Sequence, residues 1–297
     1  MSWDTTINGF KSYLTIERSL SKNSIEAYIR DIEKFAIYAI TLSINPVNIK
    51  REDIKNFLKE INNLGISARS QARIISGIKA FYKYLLLENY INNNPTELIE
   101  SPRIGLKIPD ILSLFEINQI IDSIDLSNNL GYRNKAIIEM LYSCGLRVSE
   151  LINLKISNVQ FSKGYIKILG KGNRERLAPI GGKALDALTI YINNHRNLRS
   201  VNKSDNDIIF LNNRGNKLTR VMIFLIIKKL VLKTDIRKKI SPHTFRHSFA
   251  THMIEGGANL RAVQEMLGHQ SITTTEIYTH LDKDYLRSNI IQFHPRY

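Results

Sequence analysis

Between Asn92 and Pro109 the chain carries Asn92-Asn93-Asn94-Pro95, then Pro102, Gly105 and Pro109, a density of helix breakers that one continuous helical core cannot absorb. The chain is therefore expected to fold as two bodies. Its 297 residues suit that division, because a single core is usually exhausted at about 200 residues. The boundary is placed near Arg103 to Lys107, giving segments 1–104 and 105–297.

On either side of that linker the apolar pattern is mainly helical. Ile7, Phe10, Tyr13 and Leu14, then Ile25, Tyr28, Ile29, Ile32 and Phe35, recur at helical spacing. Ser21 to Ser24 supplies cap residues for a second helix; Asn45-Pro46 and Asn63-Leu64-Gly65 close the second and third. Ser67 or Ser70 can cap a fourth that runs through Tyr84. The N-terminal half thus reads as four helices with short connections. Beyond the linker, Ser113 to Ser123, Tyr132 to Ser143 and Ser149 to Leu154 read as helices. Val159 to Leu169, the turn Gly170 to Gly172, and Arg174 to Ile180 read as a hairpin, with a short strand at Ile208 to Phe210. Helices return from Thr219 to about Arg287. The fold class is mainly α, with one small antiparallel sheet in the second half.

Composition narrows the setting. Hydrophobic residues make up 43% and charged ones 23%, which suits a folded domain. No apolar run approaches the roughly 18 residues that span a bilayer, and MSWDTTINGF lacks a basic stretch followed by an apolar one. Cys144 stands alone, so no intramolecular disulfide can form, and the expected location is the cytoplasm. A net charge of +15 calls for a polyanionic partner or is simply carried by solvated lysines, a choice that falls to the motifs. Its placement is uneven: residues 1–106 hold 14 Lys and Arg against 11 Asp and Glu, and residues 107–297 hold 28 against 16.

The second half also holds the candidate chemistry. In Ser241-Pro242-His243-Thr244-Phe245-Arg246, Pro242 suits a helix start, and His243 and Arg246 share one face near its positive end, an arrangement that attracts phosphate. Downstream lie Leu267-Gly268-His269-Gln270-Ser271 and, nine residues after His269, Tyr278. Upstream lies Cys144-Gly145-Leu146-Arg147-Val148-Ser149-Glu150, an arginine where a helix begins. Singly these have ordinary explanations, such as an Arg147–Glu150 salt bridge, a turn lysine or a half-buried core tyrosine. His243, His247 and His252 also raise zinc, but HExxH is absent and no cysteine lies near. No metal is expected.

Taken in order, these segments and the turn Leu169-Gly170-Lys171-Gly172 resemble the tyrosine recombinases, most of all the bacterial Xer proteins. Ser24-Ile25-Glu26-Ala27-Tyr28, Ala80-Phe81-Tyr82 and Asn94-Pro95 extend the likeness into the N-terminal half. The resemblance implies a core-binding domain and a catalytic domain that close as a C-shaped clamp on duplex DNA. It places the phosphate-clamping arginines at Arg147 and Arg246, the hairpin lysine at Lys171, the two histidines at His243 and His269, and the nucleophile at Tyr278. Glu150 falls on an acidic position that supports the site from behind. Implied too are two transesterifications through a 3′-phosphotyrosyl link, with no cofactor, and chromosome dimer resolution at a dif-like site.

The implied partners are double-stranded DNA, a tetramer of this chain alone or with a second Xer-like recombinase, and an FtsK-type DNA translocase. The tetramer would be tied by a C-terminal segment, about Asp284 to Phe293, whose Leu286, Ile290, Ile291 and Phe293 anchor in a neighbour. An integrase of a mobile element would use the same residues, and a non-catalytic DNA-binding protein would keep the charge without the chemistry. The absence of an arm-binding domain before Trp3 favours Xer over the former.

The residue types fit the reaction. Arginine offers a planar, permanent charge that can donate two parallel hydrogen bonds to a phosphate. A phenol with an ordinary pKa of about 10 becomes a nucleophile once a base or positive field assists it. The leaving 5′ oxygen, with a conjugate acid of pKa roughly 15–16, needs a general acid, and Lys171 on its glycine-flanked turn can supply the proton. His243 can accept the Tyr278 proton or act as a donor, and His269 can hydrogen-bond the phosphate.

Overall fold

The first helix, α1 (Trp3–Ile16), is fixed at its start by Ser2, whose side chain accepts the Thr5 N–H. In the computed structural model the described residues are 1–105, 110–170, 175–196, 201–268 and 283–297. They form two units, Met1–Lys107 and Ile108–Tyr297.

Unit 1 continues with α2 (Lys22–Thr41), α3 (Arg51–Asn63) and α4 (Ala68–Leu87). The four expected helices are present, and the fourth, capped by Ser67, runs past Tyr84 to Leu87. Their apolar faces meet in an aromatic core. Trp3 packs edge-on against Phe35 with ring centroids 5.7 Å apart, and Phe10 against Phe81 at 5.4 Å. Arg73 pairs with the buried Asp31, tying α4 to α2.

Unit 2 opens with α5 (Leu114–Asp122), where Ser113 and Glu116 cap each other's backbone N–H. At the centre lies α6 (Asn129–Ser143), buried at every position from Ala136 to Ser143. Short α7 (Val148–Ile152) leads to an antiparallel sheet of β1 (Val159–Gln160), β2 (Tyr165–Leu169) and β3 (Glu175–Pro179), in the order β1-β2-β3. The helices α8 (Gly182–Ile190), α9 (Arg220–Val231), α10 (Pro242–Glu255), α11 (Leu260–Leu267) and α12 (Lys283–Phe293) follow.

The mainly helical class with one small antiparallel sheet is what the structure has. Three local expectations change. Val159 to Leu169 is two strands, because the chain turns back through Gly164 at φ +67°. Ile208 to Phe210 forms no strand; only the isolated bridge Lys155 to Ile208 appears there. The last helix continues beyond Arg287 to Phe293. Of the four apolar residues expected to anchor in a neighbour, Leu286 and Ile290 are buried in unit 2's own core, Phe293 packs against it, and Ile291 is exposed. Beyond α12, Arg296 makes a buried ion pair with Glu139 on α6.

Candidate active site

Helix α11 ends at Leu267, with Gly268 in the left-handed conformation at φ +64°. A helix end leaves carbonyls without intrahelical partners and carries partial negative charge. Here three successive carbonyls each accept from a different arginine. Arg176 Nε donates to Met266 O at 3.0 Å, Arg246 to Leu267 O at 2.6 Å, and Arg147 to Gly268 O at 3.0 Å. The guanidinium groups come from β3, from the first turns of α10, and from the residue before α7.

Arg147 precedes α7 because Glu150, one turn on, accepts its backbone N–H at 2.8 Å. The same carboxylate accepts from the Arg147 guanidinium at 2.8 Å and from both terminal nitrogens of Arg176 at 2.7 and 2.9 Å. Burial alone would push the Glu150 carboxyl up, but the Arg176 hydrogen bonds and charge, with those of Arg147, outweigh it and hold it below the ordinary range. Glu150 is thus an anion at neutral pH. Three guanidinium groups around one carboxylate leave the cluster at +2, a field suited to a phosphodiester.

Arg246 lies on α10 one turn beyond Pro242, and also donates to Gly145 O at 2.6 Å. Burial first, then the charge of Arg147, draws its pKa down to about 10, with Glu150 opposing. It stays cationic at pH 7. Gly145 is required here twice over. Its φ is +56°, and a Cβ would stand 2.7 Å from both Leu267 and Phe249. Burial pushes the neighbouring Cys144 thiol up to about 12, so no thiolate competes as a nucleophile.

The structure therefore brings together Arg147, Glu150 and Arg246. His243 is exposed in the first turn of α10, three residues before Arg246, and among the described residues no hydrogen bond joins it to the cluster. Lys171, His269 and Tyr278 lie outside the described residues. On the described side, Leu169 pairs with Glu175, and Gly268 directly precedes His269 in the chain. Among the described residues no group of three or more His, Cys, Asp or Glu could hold a metal ion.

The model of the phage integrase family matches residues 111–284, and that of its N-terminal SAM-like domain matches residues 7–89. The tyrosine recombinase XerD of Staphylococcus haemolyticus is 44% identical over 294 residues, 99% of each chain. The chain belongs to the tyrosine recombinases of the phage integrase family. Among solved structures, XerA recombinase matches this tyrosine recombinase at 31% identity, TM-score 0.50, over 100% of both chains. XerH bound to a palindromic difH substrate, a post-cleavage complex, matches at 26% identity and TM-score 0.71, over 95% of this chain and 83% of that one.

Sequence reasoning missed Arg176. A signal existed: strand alternation sets Arg176 opposite Ile168 and two residues from buried Ala178, so a charged residue occupies the core face of a strand. The carbonyls of Gly145 and Gly268, which hold two of the arginines, carry no side-chain signal at all.

Proposed function

We propose that this chain is a site-specific recombinase that breaks and rejoins duplex DNA through a 3′-phosphotyrosyl link on Tyr278, and that its task is resolving chromosome dimers at a dif-like site. The observation that carries the reading is the convergence of Arg147 and Arg246 on successive carbonyls at the end of α11, directly before His269. In this reading both arginines grip the non-bridging oxygens of the scissile phosphate, where negative charge grows as Tyr278 attacks. Glu150 keeps Arg147 in place from behind. Lys171 protonates the leaving 5′ oxygen, His243 exchanges a proton with the tyrosine, and His269 hydrogen-bonds the phosphate. A 5′-hydroxyl from the partner duplex then reverses the attack, so the bond energy is kept in the covalent link and no cofactor is needed.

Unit 1 serves as the core-binding domain and unit 2 as the catalytic domain. The likeness to XerD along the whole chain, and to XerH on a difH substrate, supports a chromosomal site over that of a mobile element. The proposed assembly is four protomers on two duplexes, of this chain alone or with a second Xer-like recombinase, under an FtsK-type translocase. No helix among the described residues is long and apolar enough to cross a membrane.

The test is covalent capture. Wild-type protein incubated with fragmented genomic DNA should yield protein–DNA adducts that survive denaturing gels, with one dif-like sequence recovered from them. Tyr278→Phe should bind that sequence with near-wild-type affinity and give no adduct. An adduct formed by this variant would overturn the assignment of the nucleophile.

A further inference from the structure

We infer that Arg176 is a positioning residue for DNA cleavage: it aims Arg147 by holding both of the groups to which the Arg147 guanidinium is bonded. The inference rests on the reading that Arg147 grips the scissile phosphate. The Arg147 guanidinium donates to Glu150 Oε1 and to Gly268 O. Arg176 grips the first directly, through two hydrogen bonds to the two carboxylate oxygens. It grips the second through α11, since its Nε is bonded to Met266 O, two residues before Gly268. One side chain thereby joins β3, α7 and α11, using all three of its nitrogens.

The fit is close. The Arg176 side chain is only 12% exposed, and Gly268 makes room for it: a Cβ on Gly268 would lie 3.0 Å from Arg176 Cδ and 3.3 Å from Nε. Charge explains why an arginine stands here. Glu150 neutralises one guanidinium, and a second beside it leaves the pocket positive without consuming the donors that Arg147 turns elsewhere. Geometry explains why a lysine would not suffice. An ammonium is a point donor and cannot bond both carboxylate oxygens and a carbonyl in one plane. Without the fork, Glu150 is free to swing and the α11 end to shift. A displacement of about 1 Å in a phosphate-gripping group costs on the order of 100-fold in rate.

The experiment is a double-mutant cycle on single-turnover cleavage of a nicked duplex carrying the covalently captured sequence. Arg176→Lys should cleave on the order of 10- to 100-fold more slowly than wild type, with DNA affinity and melting temperature close to wild type. Glu150→Gln breaks the same linkage from its other side and should slow cleavage alike, with a lowered melting temperature because the buried anion shared by the arginines is lost. In an Arg147→Ala background either substitution should cost less than about twofold, because the group they aim is gone. An equal loss in both backgrounds, or wild-type cleavage by Arg176→Lys and Glu150→Gln, would overturn the inference. Wild-type cleavage by Arg147→Ala alone would instead overturn the underlying reading of Arg147.

Discussion

Mild acid should loosen the C-terminal end of unit 2, and His294 sets the size of the effect. Its ring is buried against Tyr142 and Phe249, with centroids 4.9 and 5.6 Å away. Nδ1 accepts the Arg296 backbone N–H at 3.2 Å, so the neutral ring carries its proton on Nε2. A second proton would break that bond and set a positive ring beside His252 and Arg296, the latter paired with Glu139. Burial above all, then those positive neighbours, draws the His294 pKa from 6.5 to about 4, with the Tyr142 backbone opposing. Between those values the unfolded chain binds more protons than the folded one, so stability falls as pH drops through the window. At about 1.36 kcal/mol per pKa unit, acidification from pH 7 to about pH 5 costs roughly 2 kcal/mol, levelling near 3 kcal/mol at about pH 4. His252 is also lowered, chiefly by burial, and adds to the same slope. Glu150 and Glu116 are lowered carboxylates, so their contribution is lost only further down, as pH falls below the ordinary carboxylate range. Native-state hydrogen exchange of residues 286–297, corrected for the intrinsic rate at each pH, reports the opening free energy. His294→Phe keeps an aromatic ring in place and should remove about 2 kcal/mol of the decline between about pH 7 and pH 5. An equal decline in wild type and variant would refute the reasoning.

Lys171→Ala should cleave ordinary DNA poorly yet cleave DNA with sulfur at the bridging 5′ position at near the wild-type rate, because a thiolate with a conjugate acid of pKa about 8.5 leaves unprotonated. Arg147→Ala should stay impaired by about 100-fold or more on both substrates, and equal rescue of the two variants would move the general acid elsewhere. Affinity for duplex DNA should fall steeply with salt, linearly on logarithmic axes, as expected from the excess of Lys and Arg in residues 107–297; a flat titration would contradict phosphate-backbone binding. Gly145→Ala should destabilise unit 2 by about 1–3 kcal/mol, through its positive φ and its crowding against Leu267 and Phe249, readable as a lowered urea midpoint. Truncation after Leu281 removes Leu286 and Ile290 from the core, so it should lower the melting temperature as well as abolish synapsis; an unchanged melting temperature would show that α12 contributes nothing in its own protomer.

Much of the fold follows from local rules. Ser2, Ser67 and Ser113 each cap a helix whose apolar spacing had already marked it, and that information lies within a few residues. Local rules fail where tertiary packing decides. Helix α8 starts at Gly181-Gly182, poor helix formers for which the chain carries no clear local helix signal, yet its Ala184 and Leu188 are buried in the core and it packs against α6. Ile208 to Phe210 is apolar enough for a strand but finds no ladder, because Ile209 donates its N–H to Leu154 O and Arg196 occupies the Ile208 carbonyl.

The site divides along the same line. Arg147, Glu150 and Arg246 were legible through the ordered motifs that carry the family resemblance, with Glu150 one turn after Arg147 and Arg246 just after a helix start. Arg176 is 26 residues from Glu150 and 90 from Met266, and no pattern in the chain joins those positions. What joins them is electrostatic necessity. A carboxylate buried like Glu150 must find cations, while three cations drawn to one helix end must share an anion. Each requirement satisfies the other only in the folded unit. Glu150 is thus the residue from which the missing partner could have been sought: a buried acid with one arginine at i−3 still has room for another, and Arg176 is a cation on a core-facing strand position.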